Sequence, residues 1–189
     1  MRVLTRVLSA CAFTALAVAP ALFAQAPSAA LPPAATANPV VWSAQMYYAR
    51  ESKYIVAAAD EMPADKYGYH PTPDQWTFGK IVSHIAQSNG GLCSAISGTP
   101  APAALHVSES ASKPDLIAAL KASFDFCGSA LDGVTDARLG DTITLFRGRQ
   151  LPRAAALLAL TADLPDHYSQ MASYLRLNGM LPPSAQPKK

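Results

Sequence analysis

Apolar positions recur with a helical period in four stretches of this chain, and Pro-, Gly- and Ala-rich segments separate them. Over about residues 41–62, Val41, Tyr48, Ile55, Val56, Ala59 and Met62 share one face, and Pro63 stops the helix. A turn follows, PADKYGYHPTPDQW, with three Pro and one Gly. Thr77 then reads as the N-cap of a second helix whose seam is Phe78, Ile81, Val82, Ile85, Leu92 and Ile96, ending at Gly98. The link 99–111 is again rich in Pro and Ala. Ser112 caps a third helix, with Pro114 in its first turn and Leu116, Leu120, Phe124, Cys127 and Leu131 inward. The stretch 141–150, containing TITLF, leans towards β and is expected to be an extended connection. The last helix is expected over about 151–178, with Gly179 as its left-handed stop and Pro182 and Pro183 beyond.

Four amphipathic helices with one apolar stripe each predict an all-α fold, a four-helix bundle. No repeat of 20–50 residues is visible, which argues against a helical solenoid. The ends of the chain read differently. Residues 1–24 have the form of a secretory signal peptide, with Arg2 and Arg6 followed by an uncharged apolar run and a cut expected after Ala24. Residues 25–39 are uncharged, aperiodic and rich in Pro and Ala, the composition of a disordered linker. The bundle is expected to span 40–184, and 185–189 to be a disordered tail.

Composition adds compartment and partners. Of 15 Lys and Arg, two lie in the leader, and the 13 that remain equal the 13 Asp and Glu. A neutral processed chain without a basic cluster excludes nucleic acid as a partner class. The leader predicts passage across the inner membrane to the periplasm, with no membrane segment left after processing. In that oxidising compartment Cys93 and Cys127, both near inward helix faces, are expected to form a disulfide, the alternative being two separate buried thiols.

Four His offer candidate chemistry, at 70, 84, 106 and 167. His70 and His106 fall in turns and read as surface residues. His84 heads a row of small residues on the second helix, Ser88, Gly91 and Ala95, which would let another helix approach closely. His167 lies near the centre of the last helix's seam with Leu160, Leu164, Met171 and Tyr174, and Asp163 precedes it by one turn on the same face. Two polar side chains on an apolar face require partners. Either Asp163 and His167 simply pair, or His84, Asp163 and His167 converge on a divalent metal with open positions for water or substrate. There is no CxxCH, di-iron Glu-x-x-His pair, HExxH, GxSxG or phosphate loop.

The segments EMPADKYGYHPTPDQWTFGKIVSHIAQSNGGLCSAISG, ALKASFDFCGSAL and DHYSQMASYLRLNGMLPPS resemble the DinB-like family, also called the YfiT-like metalloenzymes. They keep its order: a Pro-rich turn, a His within helix two, and a terminal helix carrying His-Tyr and then YLR-x-NG-x-x-PPS. The resemblance spans about residues 42–184. It implies a bundle of unusual helix order with a metal held by three His, one from helix two and two at i, i+4 on the last helix. His84 and His167 match two of these ligands, and Asp163 stands at the third. The implied cofactor is a divalent cation, Zn, Ni or Mn, with the carboxylate favouring harder ions. Pro165, between the two helix-five ligands, would kink that helix. Characterised members are thiol-dependent transferases and isomerases, so the resemblance implies a small-molecule substrate or thiol, and pairing as a homodimer. Those thiols are cytoplasmic; an exported relative implies a different substrate, or hydrolysis by metal-activated water. The expected function is therefore that of a metal-dependent transferase or hydrolase, the alternative being a metal-free binding or structural bundle with a degenerate site.

Overall fold

The computed structural model describes residues 31–187. The leader with Cys11, the first part of the linker, and Lys188 and Lys189 lie outside the described residues. Five helices follow in order: α1 (Pro33–Ala37), α2 (Pro39–Glu61), α3 (Phe78–Ser97), α4 (Lys113–Asp132) and α5 (Arg153–Leu177). Strands β1 (Thr142–Leu145) and β2 (Arg149–Pro152) lie between α4 and α5.

The long helices begin and end where their caps allow. Thr77 Oγ1 accepts from Lys80 N at 3.1 Å, and Ser112 Oγ accepts from Asp115 N at 3.4 Å. Gly98 and Gly179 take φ of 80° and 77°, the left-handed stops that the sequence places there. Helix α2 starts at Pro39, slightly before its apolar pattern, because a distant residue caps it. The free amides of Val40 and Val41 donate to Asp136 Oδ2 and Oδ1, each at 2.9 Å, and Asp136 N donates back to Asn38 Oδ1. That cap also orders what precedes it: residues 33–37, expected within an aperiodic linker, form α1 with Ala35 buried.

Helices α3 and α4 pack together, α5 packs against both α2 and α3, and α2 closes the ring against α4. Consecutive helices α2 and α3 therefore lie across the diagonal, and α3 lies beside α5. The seams read from the sequence form the core. Ile55, Ile81, Ile85, Leu116, Leu120 and Leu160 are fully enclosed, each contributing about 1.5–3 kcal/mol by burial. Cys93 and Cys127, both fully buried, are joined in a disulfide between α3 and α4, with Cα atoms 5.2 Å apart.

One expectation is corrected. The fold is not purely α: TITL is one side of an antiparallel hairpin in which Thr142 pairs with Pro152 and Leu145 with Arg149. Its partner RQLP has one aliphatic residue and ends in Pro, so no period-two pattern marks it. Helix α5 accordingly starts at Arg153 rather than 151. Up to Gln186 the tail is held: Pro182 is buried, Ser184 N donates to Tyr168 Oη at 2.8 Å, and Gln186 reaches Glu61. Of the row Ser88, Gly91 and Ala95, Ser88 meets α5 by donating to Asp163 Oδ2, whereas a Cβ at Gly91 would have nothing within 4 Å. That face is turned towards the hairpin.

Candidate metal centre

Because α3 and α5 are neighbours, residues 79 positions apart in sequence come to one place. His84 on α3 and Asp163 and His167 on α5 bring one donor atom each to within 4.8 Å of one another. His167 Nε2 lies 3.3 Å from Asp163 Oδ1, and His84 Nε2 lies 4.0 Å from the same oxygen. The imidazole centroids are 4.7 Å apart. Asp163 Oδ2 accepts a 2.9 Å hydrogen bond from Ser88 Oγ. Ser88 lies one turn beyond His84, so α3 contributes both a ring and the hydroxyl that orients the carboxylate. His70 and His106 are not part of this cluster.

Pro165 does not separate the pair on α5. The helix runs unbroken through it, and the 3.3 Å contact shows that the i, i+4 alignment of Asp163 and His167 survives. Pro165 removes only its own amide bond to Thr161, which is half-exposed.

Exposure is graded: the side chain of His167 is 7% exposed, Asp163 25% and His84 37%. The centre thus has a buried back and an open front. Burial resists ionisation of Asp163, but contacts from His167, His84 and Ser88 outweigh it and hold the carboxyl well below the usual range. Burial likewise disfavours charge on His167, and the Asp163 carboxylate overcomes it, raising the imidazole above its ordinary value.

Trp76 covers one side. Its ring lies 4.9 Å from that of His84 and 6.0 Å from that of His167, nearly parallel to the latter at 18°. The turn before α3 is fixed so that it can do this. Tyr174 Oη donates to Trp76 O at 2.9 Å, Phe78 N donates to Tyr69 O at 2.9 Å, and Gly79 N donates to Tyr67 O at 2.8 Å. Gly79 is required there: a Cβ would stand 3.0 Å from Glu109 O and 3.3 Å from Tyr67 O. The sequence places Trp76 at the end of the Pro-rich turn, an aromatic suited to packing or to lining a pocket, and Ser88 in a row of small residues, so their contact with the centre emerges only from the fold. The one sequence signal was Ser88's i+4 spacing from His84.

The aspartate's two contacts suit a divalent cation. Ligand atoms held at ~2.0–2.2 Å from one ion are roughly 3–4 Å apart, and both aspartate–imidazole separations fall in that range. The buried Nδ1 of His167 has no hydrogen-bond partner among the described residues, which leave this ring incompletely satisfied, at a cost of about 1–3 kcal/mol.

The family profile of the DinB superfamily matches residues 47–171, two thirds of the chain and nearly all of the bundle. The chain belongs to the DinB superfamily. This DinB protein is also similar to solved structures. A DinB-like protein from Bacillus cereus ATCC 10987 superposes with a TM-score of 0.57 at 20% identity, covering 76% of this chain and 93% of that one. A mycothiol-dependent maleylpyruvate isomerase superposes with a TM-score of 0.56 at 14% identity. That match covers 69% of this chain and 60% of the isomerase, so the DinB chain spans less than two thirds of the isomerase's length. At such identities the likeness is one of fold. No curated protein matches the sequence.

Proposed function

We propose that this DinB protein is an exported, divalent-metal-dependent enzyme of transferase or hydrolase type, with His84, Asp163 and His167 as its metal ligands. The observation that carries the reading is the convergence of two imidazoles and one carboxylate from two helices within 4.8 Å, with a buried back and an open front. The export half rests on the leader pattern of residues 1–24.

The cation would supply Lewis acidity, lowering the pKa of a thiol or water presented at its open side. The chain's own residues do the rest. Asp163 contributes the single negative charge and is held by Ser88, so that Oδ1 faces both rings. His167, packed in the core, is the fixed donor, and His84, more exposed, forms the rim where a substrate enters. Trp76 shields one side of the imidazoles from water. The thiol dependence named for the isomerase makes a small thiol one candidate substrate class.

The second reading is a metal-free binding module, and the 2.9 Å Ser88–Asp163 bond favours it, because it gives the carboxylate a partner without any ion. Metal content separates the two. Untagged protein is expected to hold one divalent ion per chain, and the double substitution His84→Ala/His167→Ala to lose it while keeping its helical circular dichroism. No stoichiometric metal in the unaltered protein would leave the binding-module reading in its place.

A further inference from the structure

The candidate centre adjoins a cavity of about 740 Å³, a volume within the range of small-molecule sites. One wall is the face of α3 carrying Ser88, Gly91 and Ala95, and the other is the β1–β2 hairpin with its tip Phe146-Arg147-Gly148. Ser88 belongs to both places: it lines the cavity and donates to Asp163. The small side chains on α3 keep the cavity open, since a Cβ at Gly91 would meet nothing within 4 Å.

Its lining is chemically one-sided. Leu92, Ile143, Leu145 and Phe146 provide apolar surface, and Ser94 and Thr144 provide hydroxyls. Among the described residues no acidic side chain lines it, and Arg147 is its sole cation. Among the described residues that guanidinium makes no ion pair. The tip is also strained where it matters. Phe146 and Arg147 take φ of 44° and 61°, a left-handed conformation costing roughly 1–2 kcal/mol per non-glycine residue. Glycine at either position would relieve the strain, as it does at Gly148, with φ of 85°. The hairpin instead carries a half-exposed aromatic residue and an exposed cationic one at the edge of the cavity, and backbone strain of this kind collects at binding sites.

We infer that this groove binds a small monocarboxylate with an apolar body: the carboxylate pairs with Arg147, the body lies between Gly91 and Phe146, and the far end points to Ser88 and Asp163. A single unpaired guanidinium offsets one negative charge and matches the two oxygens of a carboxylate. A dianion is disfavoured, because Gly98, the C-terminal stop of α3, lines the same cavity and brings the negative end of that helix with it. As a substrate class this rests on the metal-dependent reading above, while the binding itself does not.

The test is therefore a titration of metal-free, chelator-treated protein with 4-phenylbutyrate and with the uncharged 4-phenylbutanol, followed by calorimetry and by amide NMR shifts. The acid is expected to bind at least about tenfold more tightly than the alcohol, the factor of one charge-assisted contact. Shifts are expected at Gly91, Gly98 and Gly148. Arg147→Gln is expected to reduce the acid to the alcohol's affinity, Arg147→Lys to retain part of the preference, and Phe146→Ser to weaken both ligands. Equal binding of acid and alcohol, a preference that survives Arg147→Gln, or shifts confined to other surfaces would overturn the inference. If groove binding behaves as expected but the protein takes up no stoichiometric metal, the groove stands and the metal-dependent reading alone fails.

Discussion

Ser88 Oγ, on α3, holds Asp163 Oδ2, on α5, at 2.9 Å. The bond leaves Oδ1 facing His167 Nε2 at 3.3 Å and His84 Nε2 at 4.0 Å. A hydroxyl that orients a ligating carboxylate contributes to affinity without touching the ion, and loss of such a partner typically costs 10–100-fold. Ser88→Ala is therefore expected to weaken Zn(II) binding by about tenfold or more in competition with a chromophoric chelator, with no change in thermal stability of the metal-free protein beyond ~1 kcal/mol. Unaltered metal affinity would show that the hydroxyl does not orient the carboxylate for binding.

Asp163 stands where the family resemblance implies a third imidazole. Replacing it tests whether the carboxylate sets metal preference. Asp163→His removes a negative, hard oxygen donor and supplies a neutral nitrogen donor. Zn(II) is expected to gain on Mn(II) by at least about tenfold in paired competition titrations. A variant with unchanged relative affinities would mean that residue 163 does not ligate.

Acidity separates the metal-free from the metal-loaded state by sign. Burial lowers and Asp163 more than restores the proton affinity of His167, so its folded pKa lies above the ordinary 6.5. The stability this gives is fully present below the unfolded value and is lost as pH rises through the folded one. Asp163 is displaced the other way, below its ordinary 3.8; its contribution is present above that value and fades as pH falls through the lower folded one. For this pair the metal-free protein is most stable between roughly pH 4 and 6.5. A bound cation instead requires the unprotonated imidazole, so its stabilisation grows over the range where the pair's own contribution fades. Melting curves from pH 5.5 to 8 are expected to fall for this contribution without metal, and the increment on adding Zn(II) is expected to rise. An increment that shrinks with rising pH would contradict ligation by His167.

The disulfide joins α3 to α4 across 34 residues, away from the ligands. Closing a loop of that length contributes about 3–4 kcal/mol through the unfolded chain. Cys93→Ala/Cys127→Ala is expected to lose roughly that much stability in denaturant unfolding while still binding metal. Loss of metal binding in a folded double variant would make the bridge part of the site's support.

The sequence carried the bundle because its four seams are long and periodic, and because Thr77, Ser112, Gly98 and Gly179 mark helix ends by local chemistry. It also brought His84, Asp163 and His167 into one candidate set through one-turn spacing and family resemblance. Features that depend on distant chain were not legible. Asp136 caps α2 from 95 residues away, so the helix begins earlier than its pattern. RQLP becomes a strand only because TITL lies opposite it. Trp76 reaches the imidazoles because Tyr174, 98 residues on, holds its carbonyl. No periodicity encodes such contacts.

Anomalous diffraction above and below the zinc edge, from crystals of Zn(II)-loaded protein, examines the metal centre directly. One strong peak bounded by His84 Nε2, Asp163 Oδ1 and a ring nitrogen of His167 is the expected result. A well-ordered site with no anomalous density, or a zinc ion held by other residues while these three remain paired among themselves, would contradict it.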